Sequence, residues 1–207
     1  MTRLLLVHID KTGGTSLRRL FKSSRALCDF DCVHNGSLLR FRDGQRVSRG
    51  PLDPASLAYY DVALVMMRHP LSRLKSCHRY FLAGGLNQRG KGVFPEDMAH
   101  QHFLQQQAPN LAECCQWLPE IADRIPHFRP ACHWLDPLPN PLADRVVCGQ
   151  LEHFDEELQR LFQLLDLDPS GLRVEHRNTS PPKTDEPWDS QSIRLAEHFY
   201  AADFQRF

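Results

Sequence analysis

The run RLLLVHIDKTGGTS at residues 3–16 constrains this chain most. Arg3 to Ile9 is apolar and β-prone, and reads as a buried strand, central and parallel in its sheet. Asp10 to Thr15 is a glycine-containing turn, and from Ser16 the sequence SLRRLFKSS reads as a helix. Glycines after a strand let the backbone approach an anion closely. The following helix start offers unpaired N–H groups and a positive dipole end. Thr15 and Ser16 add hydroxyl donors, and Lys11 supplies positive charge. A tight turn carrying a surface lysine is the plainer alternative.

Residue order separates this loop from a nucleoside-triphosphate loop. There the lysine follows the glycines and a hydroxyl holds magnesium. Here Lys11 precedes Gly13 and Gly14, which points to a related cradle for a different anion. A second strand, Tyr60 to Met67, ends in Arg68, and Leu71 to Leu82 continues as a helix behind Pro70. A strand-end aspartate would help to hold magnesium in a phosphoryl-transfer protein. Arginine binds no metal ion but grips phosphate with a bidentate fork. Ser76, two turns into that helix, offers a hydroxyl to the same anion. A helix-start arginine in a surface ion pair is the competing reading.

The rest of the chain fits around these units. Residues 28–58 are mixed, with a turn at Asp43-Gly44. Gly84 to Gly92 reads as a flexible surface loop on the substrate side, and residues 95–125 as helical with breaks at Pro109 and Pro119. Arg145 to Gly149 is a third strand, Phe154 to Leu167 an amphipathic helix, and Ser190 to Phe207 a closing helix. Residues 176–187 form a polar, proline-rich loop. Strands alternating with helices predict an α/β fold with a mostly parallel sheet, flanked by helices.

Composition narrows the partners. The 25 basic and 25 acidic residues balance, so nucleic acid and membrane surfaces are disfavoured as partners. No apolar run is long enough to span a bilayer, and no secretion signal precedes the first strand. These observations predict a soluble, cytoplasmic protein. The 7 cysteines show no CxxC and no zinc-type spacing, and read as reduced, mostly buried thiols. Only 5 of the basic residues are lysines, which singles out Lys11.

The two motifs together, HIDKTGGTS at 8–16 and RHPLSRLKS at 68–76, resemble those of the carbohydrate-type sulfotransferases. These enzymes use PAPS (3′-phosphoadenosine 5′-phosphosulfate). That family carries HIPKTGGTS for the 5′-phosphosulfate and RxPxxRxxS for the 3′-phosphate. Weaker similarities cover nearly the whole chain: Ile125 to Leu135, Gln150 to Leu167, Asn178-Thr179-Ser180, and the AADFQRF ending. The resemblance implies a single P-loop-like, three-layer domain over residues 1–207. It implies PAPS held by Lys11, Thr12, Gly13, Gly14, Thr15, Ser16, Arg68 and Ser76, without a metal ion. The acceptor it implies is a hydroxyl on a carbohydrate, with a small metabolite as the other class. An arginine-rich chain without an anchor suits a bacterial source.

Three departures from the family stand out. Asp10 replaces the usual proline and is expected to turn away or to cap Thr12 or Gly13. His69 replaces Asp or Asn, and Gln150 stands where Arg is common.

Sulfuryl transfer needs charge stabilisation at the bridging oxygen and a base for the acceptor proton. The resemblance gives the first role to Lys11 and the second to His34. Imidazole is the side chain whose ordinary pKa of about 6.5 lies nearest neutrality. Glu152 and His153 are reserve bases, and His8 reads as a buried core residue. His127 and His133 are candidates for the acceptor side, and Arg89 and Lys91 for an anionic acceptor, unless their loop is simply solvated. Two other classes stay open: a P-loop kinase of a small molecule, and a nucleotide-binding protein without turnover.

Overall fold

The computed structural model describes residues 3–23, 29–90, 92–164, 166 and 187–206. In chain order the elements begin with β1 (Leu4–Val7), α1 (Gly14–Ser23), β2 (Phe30–His34), β3 (Ser37–Arg42), β4 (Gln45–Pro51) and β5 (Val62–Met67). There follow α2 (Pro70–Leu82), α3 (Pro95–Gln107), α4 (Leu111–Gln116), α5 (Leu118–Arg124) and α6 (Asn140–Ala143). Last come β6 (Val146–Gln150), α7 (Phe154–Leu164), α8 (Ser190–Phe199) and α9 (Ala201–Arg206). The chain packs as two compact units. One is Met1–Arg68 with Ala131–Thr179, the other His69–Pro130 with Ser180–Phe207.

The first unit is an α/β structure on a six-stranded sheet of order β4-β3-β2-β1-β5-β6. β2, β1, β5 and β6 run parallel, and β3 and β4 are added antiparallel at one side. The sheet is mostly parallel and flanked by helices, as its alternating pattern predicts. One face is covered by Leu17, Leu20 and Phe21 of α1 and by Phe154, Leu158, Leu161 and Phe162 of α7. They pack on Leu4, Leu6, Phe30, Cys32, Leu39, Phe41, Leu64 and Met66, the alternate positions that strand pleating turns to that side.

Asp31 points to the other face and is buried there. Tyr60 Oη donates to it at 2.6 Å and Arg42 Nη1 at 2.9 Å. Burial, with the bond to Asp31, holds the Tyr60 phenol well above its ordinary pKa. Asp31→Ala leaves the buried Tyr60 hydroxyl without its acceptor, while Arg42 Nη1 keeps the Phe41 carbonyl. It is expected to cost about 1–3 kcal/mol in a urea titration, and a change within error would remove the network from the account.

The second unit is helical around Leu74, Phe81, Leu104, Leu118, Ile121, Phe128 and Tyr200. Arg73 is 1% exposed and donates to the carbonyls of Arg129 (2.8 Å) and His127 (2.9 Å). Tyr200 Oη donates to the Phe128 carbonyl at 2.7 Å. Within the expected Gly84 to Gly92 loop, the described residues 84–90 hold an ordered turn. Gly85–Arg89 is a turn of 3-10 helix, the Asp97 carboxylate accepts from Leu86 N at 2.6 Å, and Asn87 exchanges two hydrogen bonds with the Phe94 backbone. The helical stretch breaks at 108–110 and again at Trp117, where Pro119 sits in the first turn of α5, and the closing helix divides at Tyr200. Cys28, Lys91, Leu165, Leu167, the 176–186 stretch with Asn178-Thr179-Ser180, and Phe207 lie outside the described residues.

No helix among the described residues is long and apolar enough to cross a membrane. Cys32, Cys77, Cys114 and Cys115 are buried, and Cys132 and Cys148 are partly exposed.

Candidate functional site

Strand register builds the site. β1 and β2 pair in parallel with Val7 opposite Val33, and His8 N donates to the Val33 carbonyl at 2.9 Å. His8 and His34 are therefore the next residues along neighbouring strands. Parallel strands lie about 4.8 Å apart, which suits ring stacking. The two imidazoles stack with centroids 4.2 Å apart and planes inclined by 16°. His8 is buried, as its strand-end position suggested. A Cβ on Gly14 would lie 2.8 Å from both Cγ and Nε2 of His8, and nearer still to Cδ2. The second glycine of the loop is thus the surface on which the His8 ring rests.

The loop itself turns through two left-handed residues, Lys11 at φ 65° and Gly13 at φ 82°. A non-glycine residue held there stores about 1–3 kcal/mol, and such positions cluster at functional sites. Thr12 is buried, and its hydroxyl donates to the Ile9 carbonyl at 2.9 Å, closing the turn. Ser16 N and Leu17 N both bond the Gly13 carbonyl, which starts α1. The first turn of α1 has no acidic residue to compete with an anion. Thr15 and Ser16 are partly exposed.

Arg68 follows β5, which pairs with β1 on its other side, Val7 opposite Val65. Its Nη1 donates to the Lys11 carbonyl at 3.4 Å. His34, the 8–16 loop and Arg68 therefore stand at the carboxyl ends of three adjacent parallel strands, β2, β1 and β5. From β1 the chain passes to one side of the sheet, and from β5 to the other. The crevice at such a reversal is where open α/β sheets bind their ligands.

Asp10 turns toward the neighbouring strand: its Oδ1 lies 3.3 Å from His34 Nε2. Both side chains are partly exposed, Asp10 at 14% and His34 at 26%. Asn35 and Gly36, both at positive φ, reverse the chain immediately after His34. Cys32, two residues before His34, is no nucleophile. Burial pushes its thiol up to about 12, so it stays protonated at neutral pH.

The remaining candidates are spread over both units. Ser76 is partly exposed on α2, in the second unit. His127 also belongs to the second unit, its ring edge-on to Phe81. Glu152 and His153 are exposed in a 3-10 turn after β6, with His153 Nδ1 3.5 Å from Glu156. His133 is exposed beside Trp134 in the first unit. The Asp10–His34 contact is the feature that reading the sequence missed. Its signal was the i, i+2 spacing of His8 and Asp10, which needs the β1–β2 register to become a prediction. No protein-family model, curated protein or solved structure matches the chain.

Proposed function

We propose that this chain is a PAPS-dependent sulfotransferase with a P-loop-like fold, moving a sulfuryl group to an acceptor hydroxyl, on a carbohydrate or a small metabolite. The observation that carries the reading is the placing of Lys11, Arg68 and His34 at the carboxyl ends of three adjacent parallel strands. Lys11 and the α1 amides take the 5′-phosphosulfate, and Arg68 takes the 3′-phosphate. The acceptor oxygen attacks sulfur as the bond to the bridging oxygen breaks, releasing adenosine 3′,5′-bisphosphate. Lys11 stabilises the charge that grows on that oxygen. His34 removes the acceptor proton. With Nε2–H directed at Asp10, its Nδ1 keeps the lone pair that accepts it. The transferred group carries less charge than a phosphoryl group, so the step needs no divalent ion.

Calorimetric titration tests the donor. Adenosine 3′,5′-bisphosphate is expected to bind equally with and without magnesium, and ATP more weakly. Arg68→Ala removes a charge-assisted phosphate contact worth about 1.5–3 kcal/mol, roughly a 10- to 150-fold loss of affinity. Preference for ATP with magnesium would move the chain to the kinase class.

A further inference from the structure

We propose that His8, Asp10 and His34 form a binding site for one divalent transition-metal ion of the zinc class. Each offers one ligand atom, and these atoms all lie within 4.8 Å of one another. The register explains why. Two imidazoles occupy equivalent positions on paired parallel strands, and a carboxylate follows two residues after the first. Tetrahedral zinc, with bonds of about 2.1 Å, needs its ligand atoms about 3.4 Å apart. Rotation of the two partly exposed side chains, Asp10 and His34, closes that gap while β1 and β2 stay in place. Two nitrogens and one oxygen suit zinc, copper or nickel, whereas magnesium and calcium take oxygen ligands. Three protein ligands leave the fourth position to water or an anion.

The ion takes the ring nitrogen and the carboxylate that otherwise meet in the Asp10–His34 hydrogen bond. With Nε2 on the ion, the ring proton moves to Nδ1, so under the transfer reading His34 can no longer accept the acceptor proton, and zinc is an inhibitor. Only that consequence rests on the proposed function; the metal site does not.

Zinc is titrated into the reduced full chain against a chromophoric chelator. The wild type is expected to withdraw one Zn2+ per chain, with magnesium unable to compete. His34→Gln and Asp10→Asn each change a direct ligand and are expected to weaken zinc by at least the about 10- to 100-fold that loss of an outer-shell partner costs. Should His34→Gln fail to fold, Asp10→Asn, which keeps the side-chain shape, carries the test. Cobalt binding supplies a second readout: visible bands of a tetrahedral nitrogen and oxygen site, without the thiolate band that cysteine ligands would give. Equal zinc affinity in wild type and variants, or a thiolate spectrum alone, overturns the site. Adenosine 3′,5′-bisphosphate titrated in parallel reports on the donor site, so failure of the metal site and failure of the transferase reading are separate results.

Discussion

Lys11→Ala is expected to lower kcat for sulfuryl transfer by about 10²–10³, the loss seen when one preorganised transition-state donor is removed. The measurement is transfer of radiolabelled sulfate from PAPS to a panel of saccharide and small hydroxyl acceptors. Binding of the bisphosphate product should fall much less, because the charge that Lys11 meets is largest as the bridging bond breaks. The backbone supplies a control. Lys11 is held at φ 65°, where glycine is unstrained and alanine is not. Lys11→Gly should therefore lose as much activity as Lys11→Ala while matching or exceeding wild-type stability. Activity within about tenfold of wild type in either variant would take Lys11 out of the chemistry. Loss of activity with loss of folding in both would make it a turn residue only.

The parts of the fold legible in the sequence were those with a local signal. β1 and β5 are short apolar runs, as buried parallel strands require, and β6 is a short run at the sheet edge. β2, β3 and β4 carry no such run: Asp31 interrupts β2, and arginines at 40, 42, 46 and 49 interrupt β3 and β4. The turn signals were nevertheless present: Asn35-Gly36 and Asp43-Gly44 both sit at positive φ between paired antiparallel strands. At residues 84–90 the glycines conceal a turn of 3-10 helix, in which the Asp97 carboxylate accepts from Leu86 N and the Asn87 amide bonds the Phe94 backbone. At the site, the loop and Arg68 were legible because each directly follows an apolar strand. His34 was placed by chain order, and its neighbours could not be. Stacking on His8 and contact with Asp10 depend on which strands pair and in what register, a long-range property that no window of sequence carries.

Register also predicts a large effect at a residue that has no side chain of its own. Gly14→Ala adds a methyl group where the buried His8 ring already lies, with His34 stacked on that ring. Relief requires either the buried ring, which is stacked with His34, or the start of α1 to move. Overpacking of this kind costs about 1–3 kcal/mol, occasionally more. Gly50→Ala is the matched control. Its added Cβ meets nothing within 4 Å and its φ is ordinary, so the expected change stays within about 0.5 kcal/mol. His8→Ala opens the space that Gly14→Ala fills, so the double variant should be less destabilised than the sum of the singles by about 0.5–3 kcal/mol. Denaturant unfolding of the four chains gives the cycle. Strict additivity, or a Gly14→Ala no worse than Gly50→Ala, would show that the ring and the glycine are not in contact. A positive coupling means that the second glycine of the loop answers to His8 as well as to any anion. The loop and the His8–His34 pair would then be one packed unit, in which a change on either side moves the other.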